Sequence, residues 1–163
     1  MKRIWLVTTG GTIASRHVAA SDEVVTTTHE HPGLTAPLEE LARELDKRAR
    51  AAGRPVLPVL LEVNAGIEAQ KGGVPASEVC ALVDVVRALP GLELRGLMTM
   101  PPFGDLAIAR KVFEDLVHLR DALGGAAALP ELSMGMSDDL DLAVAAGATL
   151  VRVGTAIFGA RGA

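Results

Sequence analysis

The sequence predicts an α/β chain, part of a TIM-type βα barrel: a half barrel in which parallel strands alternate with helices. Two observations of pattern predict it. Apolar runs of strand length at 56–63, 92–100, 132–134 and 150–153 alternate with segments whose apolar residues recur every three or four positions. The longer runs are also nearly continuous in hydrophobicity, as suits strands buried on both faces. A third observation is length. About five strands fit into 163 residues, whereas a closed barrel has about eight strands and about 250 residues. An incomplete barrel leaves an open edge of unpaired backbone groups, which N-terminal residues or a second copy in a homo-oligomer is expected to cover.

The elements follow in order. Ile4 to Val7, closed by Gly10 and Gly11, reads as a buried strand and a tight turn, and the polar stretch 15–33 as a long loop. Pro37 sits just inside a helix start at Thr35, and Leu38, Leu41, Ala42, Leu45 and Ala49 form its apolar stripe up to Gly53. Val56 to Val63 reads as a parallel strand with Pro58 near its start. Pro75 precedes a helix striped by Val79, Leu82, Val83, Val86 and Leu89 and stopped at Pro90-Gly91, with Cys80 packed beside the stripe. Leu92 to Met100 is a strand, and Ile108 to Leu123 a helix carrying Val112, Phe113, Leu116 and Leu119. Gly124 and Gly125 end it. Leu132 to Met134 is a short strand, Asp138 to Ala146 a short helix opened by Ser137, and Leu150 to Val153 a final strand. The expected division is an N-terminal strand and irregular loop at 1–37, then the half barrel at 38–163. Right-handed crossovers put the functional loops after the carboxyl ends of the strands.

Composition removes several function classes. A formal charge of -4, with three Phe, one Trp and no Tyr, offers neither the basic field nor the stacking platforms that nucleic acid requires. A single cysteine excludes an internal disulfide, no Cys and His cluster has zinc spacing, and a reducing, cytoplasmic setting is expected. No run approaches the length that spans a membrane, and the first apolar run is too short for a signal segment. Neither export nor anchoring is expected.

Several places could carry chemistry. In Leu132-Ser133-Met134-Gly135-Met136-Ser137-Asp138-Asp139 a strand turns through glycine into a helix start, and such starts bind anions; an ordinary N-cap is the competing reading. In Val151-Arg152-Val153-Gly154-Thr155, Gly154 permits close backbone approach and Thr155 adds a hydroxyl, at the usual phosphate end of a βα barrel. Arg152 alternates with apolar neighbours and needs a partner, either a carboxylate, which spacing favours, or a cofactor ring nitrogen. Asn64 ends one strand and Lys71 follows it in a Gly-rich loop, where turn chemistry and a solvated lysine are the ordinary readings. Met98-Thr99-Met100 ends another, and its methionines read as core.

Taken together, Leu-Glu-Val-Asn at 61–64, Gln-Lys-Gly-Gly at 70–73, Leu-Arg-Gly-Leu-Met-Thr-Met at 94–100, the run 132–139 and Val-Arg-Val-Gly-Thr-Ala-Ile-Phe-Gly-Ala-Arg at 151–161 resemble the C-terminal half of the YggS-type pyridoxal phosphate (PLP) homeostasis family. The resemblance implies a fold like the N-terminal barrel of alanine racemase. It implies PLP held at its phosphate by Ser137, Gly154 and Thr155 with Met136 beside them, Arg152 near the pyridine nitrogen, and Asn64 and Lys71 near the site. It also implies a non-catalytic role as a cofactor carrier. The family's Ala-Val-Ser-Lys type segment, whose lysine carries PLP covalently, has no counterpart here, so binding is expected to be weak. Thr8-Thr9-Gly10-Gly11-Thr12-Ile13-Ala14-Ser15 resembles the N-terminal motif of bacterial L-asparaginases, which would make Thr12 a nucleophile for an amidohydrolase. A Gly-rich turn is the alternative, because the family's second Thr-Asp motif and its tyrosine are absent. A truncated or chimeric chain without activity of its own is the third expectation.

Overall fold

Helix α1, Thr35–Ala51 in the computed structural model, begins where the Thr35-Ala36-Pro37 signal put it and ends before Gly53, whose φ of +67° terminates helices readily. The structure describes residues 35–53, 56–65 and 73–154, together with 157 and 159. The expected N-terminal strand and loop lie outside these residues, as do Thr12, Lys71 and Thr155.

α1 buries Ala42, Leu45 and Ala49 and turns Glu39, Arg43, Glu44 and Arg48 outward as pairs one turn apart. Asp46 breaks this pattern. It is buried, and its Oδ1 accepts the Gly91 backbone N–H at 2.6 Å, which pins the helix to the turn at Pro90-Gly91. Strand β1, Leu57–Asn64, is followed by a two-residue strand β2, Val74–Pro75, a 3-10 turn at Ala76–Glu78 and helix α2, Val79–Arg87. β3 spans Leu92–Met98 and α3 Leu106–Ala122, capped by Asp105, whose Oδ1 accepts from Ala107 and Ile108 at 2.9 Å each. That cap starts the helix two residues before the position expected from its apolar stripe. A one-turn helix α4, Gly125–Ala128, strand β4, Glu131–Ser133, and helix α5, Leu140–Ala145, complete the described elements.

The strands form one parallel sheet in the order β2-β1-β3-β4. The parallel α/β half barrel read from the alternating pattern is therefore present among the described residues. β1 and β3 pair from Leu57 opposite Leu92 to Glu62 opposite Met98, but the register skips Arg95, so Val59 meets Leu94 and Leu60 meets Gly96. This bulge is coupled to a close approach. A Cβ on Gly96 would lie 1.8 Å from the carbonyl oxygen of Glu131, so only glycine lets β4 pair there.

Strand alternation separates two faces. Val59, Leu61 and Val63 join the main core with Val79, Leu82, Val83, Val86, Phe113 and Leu116 from the helices. Complete burial of Phe113 and Leu116 stabilises the fold by about 1.5–3 kcal/mol each on the usual transfer scale. Leu60 and Glu62, on the opposite face of β1, are buried outside that cluster.

Three expectations are corrected. Leu150 to Val153 is no strand: Leu150 forms a single parallel bridge with Ser133. A continuing ladder needs the Arg152 N–H on the Met134 carbonyl, yet it bonds Gly135 at 2.9 Å, because the turn at Gly135 (φ +93°) shifts the register by one residue. Ser137 opens no helix, since α5 starts at Leu140 and Asp139 Oδ1 accepts the Met136 N–H at 2.6 Å, which holds 136–139 as a turn. Cys80 is exposed rather than packed. β2 was not anticipated; it forms because Gly73, at φ +101°, brings the chain so close that a Cβ there would stand 2.9 Å from the Asn64 nitrogen.

Candidate functional site

At the carboxyl ends of the strands, three positions stand level. Glu62 pairs with Met98 and Met98 with Ser133, so their side chains share one face of the sheet. One residue further along, the Thr99 hydroxyl donates to the Val63 carbonyl at 2.9 Å and joins the end of β3 to the end of β1. Over this level lies Arg152. Its Nη1 donates to the Ser133 carbonyl at 3.0 Å and to the Ser133 hydroxyl at 2.8 Å, and its Nη2 donates to the Thr99 carbonyl at 3.0 Å. One guanidinium thus ties together the exits of β3 and β4. Its Nε has no partner among the described residues.

Burial lowers the Arg152 pKa from its ordinary value, and the negative charges of Glu62 and then Asp139 act in the opposite direction. The side chain remains a cation. The carboxylate favoured by spacing is therefore not a hydrogen-bonding partner; the fork engages backbone and hydroxyl oxygens, with the carboxylates acting through space.

The other expected residues are distributed around this point. Asn64 is the last residue of β1 and half-buried. Met136 and Ser137 lie half-buried in the turn after β4. Gly154 is exposed, and a Cβ there would meet nothing within 4 Å, so its backbone is open to approach. A cavity of about 220 Å³ lies beside Met136 and Asp139, walled on its other side by Pro101 and Phe103 from the loop before α3 and by Leu106, the first residue of that helix. Three residues that pattern did not single out join the site: Glu62, Thr99 and Ser133. Glu62 had a signal in the sequence, a carboxylate between Leu61 and Val63 in an otherwise apolar run. Thr99 and Ser133 stood inside the runs 94–100 and 132–139, but nothing in the pattern marked either of them individually.

The pattern of the alanine racemase N-terminal domain matches residues 8–162. The chain is 46% identical over 123 residues to a pyridoxal phosphate homeostasis protein of Pseudomonas aeruginosa, covering 75% of this chain and 52% of that one. Against the protein of the same name from Aquifex aeolicus the identity is 44% over 126 residues, covering 76% and 55%. The chain spans about half the length of these curated relatives. Among solved structures it is similar to PipY of Synechococcus elongatus PCC7942 with PLP bound, at TM-score 0.67 and 29% identity over 83% of this chain and 69% of that one. The matched stretch takes in residues 8–15, and the likeness of that motif to asparaginases gains no support from these comparisons.

Proposed function

This chain belongs to the alanine racemase N-terminal domain family, and from that premise we propose that it binds pyridoxal 5'-phosphate at the carboxyl ends of its strands as a cofactor carrier, without turnover of a substrate. The observation that carries the reading is Arg152, a half-buried cation fixed by three hydrogen bonds over the exits of β3 and β4. A cation held in that way is preorganised for an electron-rich partner. The open backbone at Gly154 leaves room for a phosphate beside it. Similarity to proteins named for PLP homeostasis, and to PipY with PLP bound, supports the same ligand.

The residues present fit the group. Ser137, Gly154 and Thr155 would hold the phosphate with Met136 beside them, Arg152 would face the ring nitrogen, and Asn64 and Lys71 would border the ring. When bound, PLP supplies an aldehyde and an electron-withdrawing ring. The chain's own residues would orient the ring and hold a positive charge beside its nitrogen. The working unit in this reading is 38–163, with 1–37 as a preceding segment, in a cytoplasmic protein whose open sheet edge pairs with a second copy. Among the described residues, no helix is long and apolar enough to cross a membrane.

Titration with PLP followed by absorbance tests the reading. Saturable binding is expected, with affinity falling at least tenfold, about 1.4 kcal/mol, when Ser137→Ala and Thr155→Ala are combined. Unchanged affinity in that variant overturns the assignment.

A further inference from the structure

Glu62 is buried to 3% exposure on a strand whose neighbours Leu60, Leu61 and Val63 are all apolar. A carboxylate in that position is expensive unless an opposite charge compensates it. Its level on the sheet is that of Met98 and Ser133, and Ser133 carries two of the three Arg152 bonds. The third Arg152 bond lands on Thr99, whose hydroxyl is fastened to Val63, the residue after Glu62. Room for the carboxylate is also built in. Gly73, with φ of +101°, runs so close that a Cβ would stand 3.1 Å from Glu62 Cγ, so the absence of a side chain there leaves the Glu62 arm its place.

We propose that Glu62 is a positioning residue of the site: its carboxylate holds the Arg152 guanidinium over the ends of β3 and β4, in the orientation in which it meets a ligand ring. The inference deepens the PLP reading and rests on it for the identity of that ring. Glu62 itself need touch no ligand. Electrostatics agree with this placement, since Glu62 is the first of the two carboxylates that favour the charged form of Arg152.

A double-mutant cycle tests the pair without any cofactor. Glu62→Gln and Arg152→Met are each expected to lower the thermal midpoint, and the double variant to lower it by clearly less than the two shifts added together. Additive shifts overturn the proposal. If Glu62→Gln does not fold, Glu62→Asp, which keeps the charge on a shorter arm, carries the same cycle and is expected to retain part of the coupling. A second readout separates positioning from simple packing: the absorption band of bound PLP is expected to move in Glu62→Gln while competition by inorganic phosphate stays unchanged. Coupled stability with an unmoved band overturns the positioning role. If the parent chain takes up no PLP, the cofactor reading fails, and the stability cycle still decides whether Glu62 holds Arg152.

Discussion

Arg152 is held by bonds to two carbonyls and a hydroxyl, and this sets what its loss does to the fold. Arg152→Met removes this donor from the Thr99 carbonyl and the Ser133 hydroxyl, while the Ser133 carbonyl keeps the Thr99 N–H at 3.2 Å, and it also removes a desolvated charge. Bonds to a charged group are worth about 1.5–3 kcal/mol each, and relief of desolvation offsets part of that, so a net loss of about 1–3 kcal/mol is expected in urea unfolding. Arg152→Lys is expected to recover little, because an ammonium is a single point of charge and cannot span the oxygens of both residues as the planar fork does. Full recovery by lysine would mean that charge alone matters. Asp46 poses a simpler case. Its carboxylate is the buried acceptor for the Gly91 N–H, so Asp46→Ala is expected to cost about 1–3 kcal/mol, with the urea midpoint as the check. A loss below that range would mean that water reaches the Gly91 nitrogen.

Among the elements, the pairing of β3 with β4 depends on Gly96. A methyl group there would stand 1.8 Å from the Glu131 oxygen, backbone against backbone, where no side chain can move aside. Gly96→Ala is therefore expected to cost about 3 kcal/mol or more. Gly104→Ala is the control, since its φ of +88° is strained for alanine but the space around it is open; a loss of about 1 kcal/mol is expected there. Equal losses in the two variants would deny the steric account. α1 gives a pH prediction. The Arg48 hydrogen bond, then the nearby Lys47 charge, holds the Glu44 carboxyl below its ordinary pKa of 4.5. A depressed folded pKa stabilises above the unfolded value and loses that contribution as pH falls through the folded one. Wild type and Glu44→Gln are thus expected to differ slightly at neutral pH and to converge in acid and in high salt, followed by circular dichroism. The elements differ in how readily the sequence shows them. α1, α2 and α3 are legible because one apolar stripe and one cap or stop set each of them. β2 is not, since it rests on the close approach of Gly73 to Asn64, and the loss of a strand at 150–153 rests on the Gly135 turn, a register effect that hydrophobicity cannot show. The site divides in the same way: Arg152 is visible as a charge in an apolar strand pattern, but its partners on β3 and β4 are tertiary.

At the scale of the whole molecule, the described sheet has β2 on one side and, on the other, the segment that bridges to β4 through Leu150 alone. β2 pairs only two residues, so most of the outer side of β1 has no strand beside it among the described residues. Near the other edge, Val151 and Ile157 are exposed at 42% and 67%. Unpaired backbone and apolar side chains at an edge favour pairing with another chain. If a second copy supplies that pairing, association stabilises the folded state by mass action, and the thermal midpoint must rise with protein concentration. A rise is expected over about a hundredfold range of concentration, together with a sedimentation mass above that of one chain. Val151→Lys, which sets a charge on the edge, is expected to lower the mass toward one chain and to remove the concentration dependence without changing the core, since Val151 lies outside the main hydrophobic cluster. A midpoint independent of concentration, with a single-chain mass throughout, would instead mean that the edges are satisfied within one copy, and the proposed PLP site would then be a property of the lone chain.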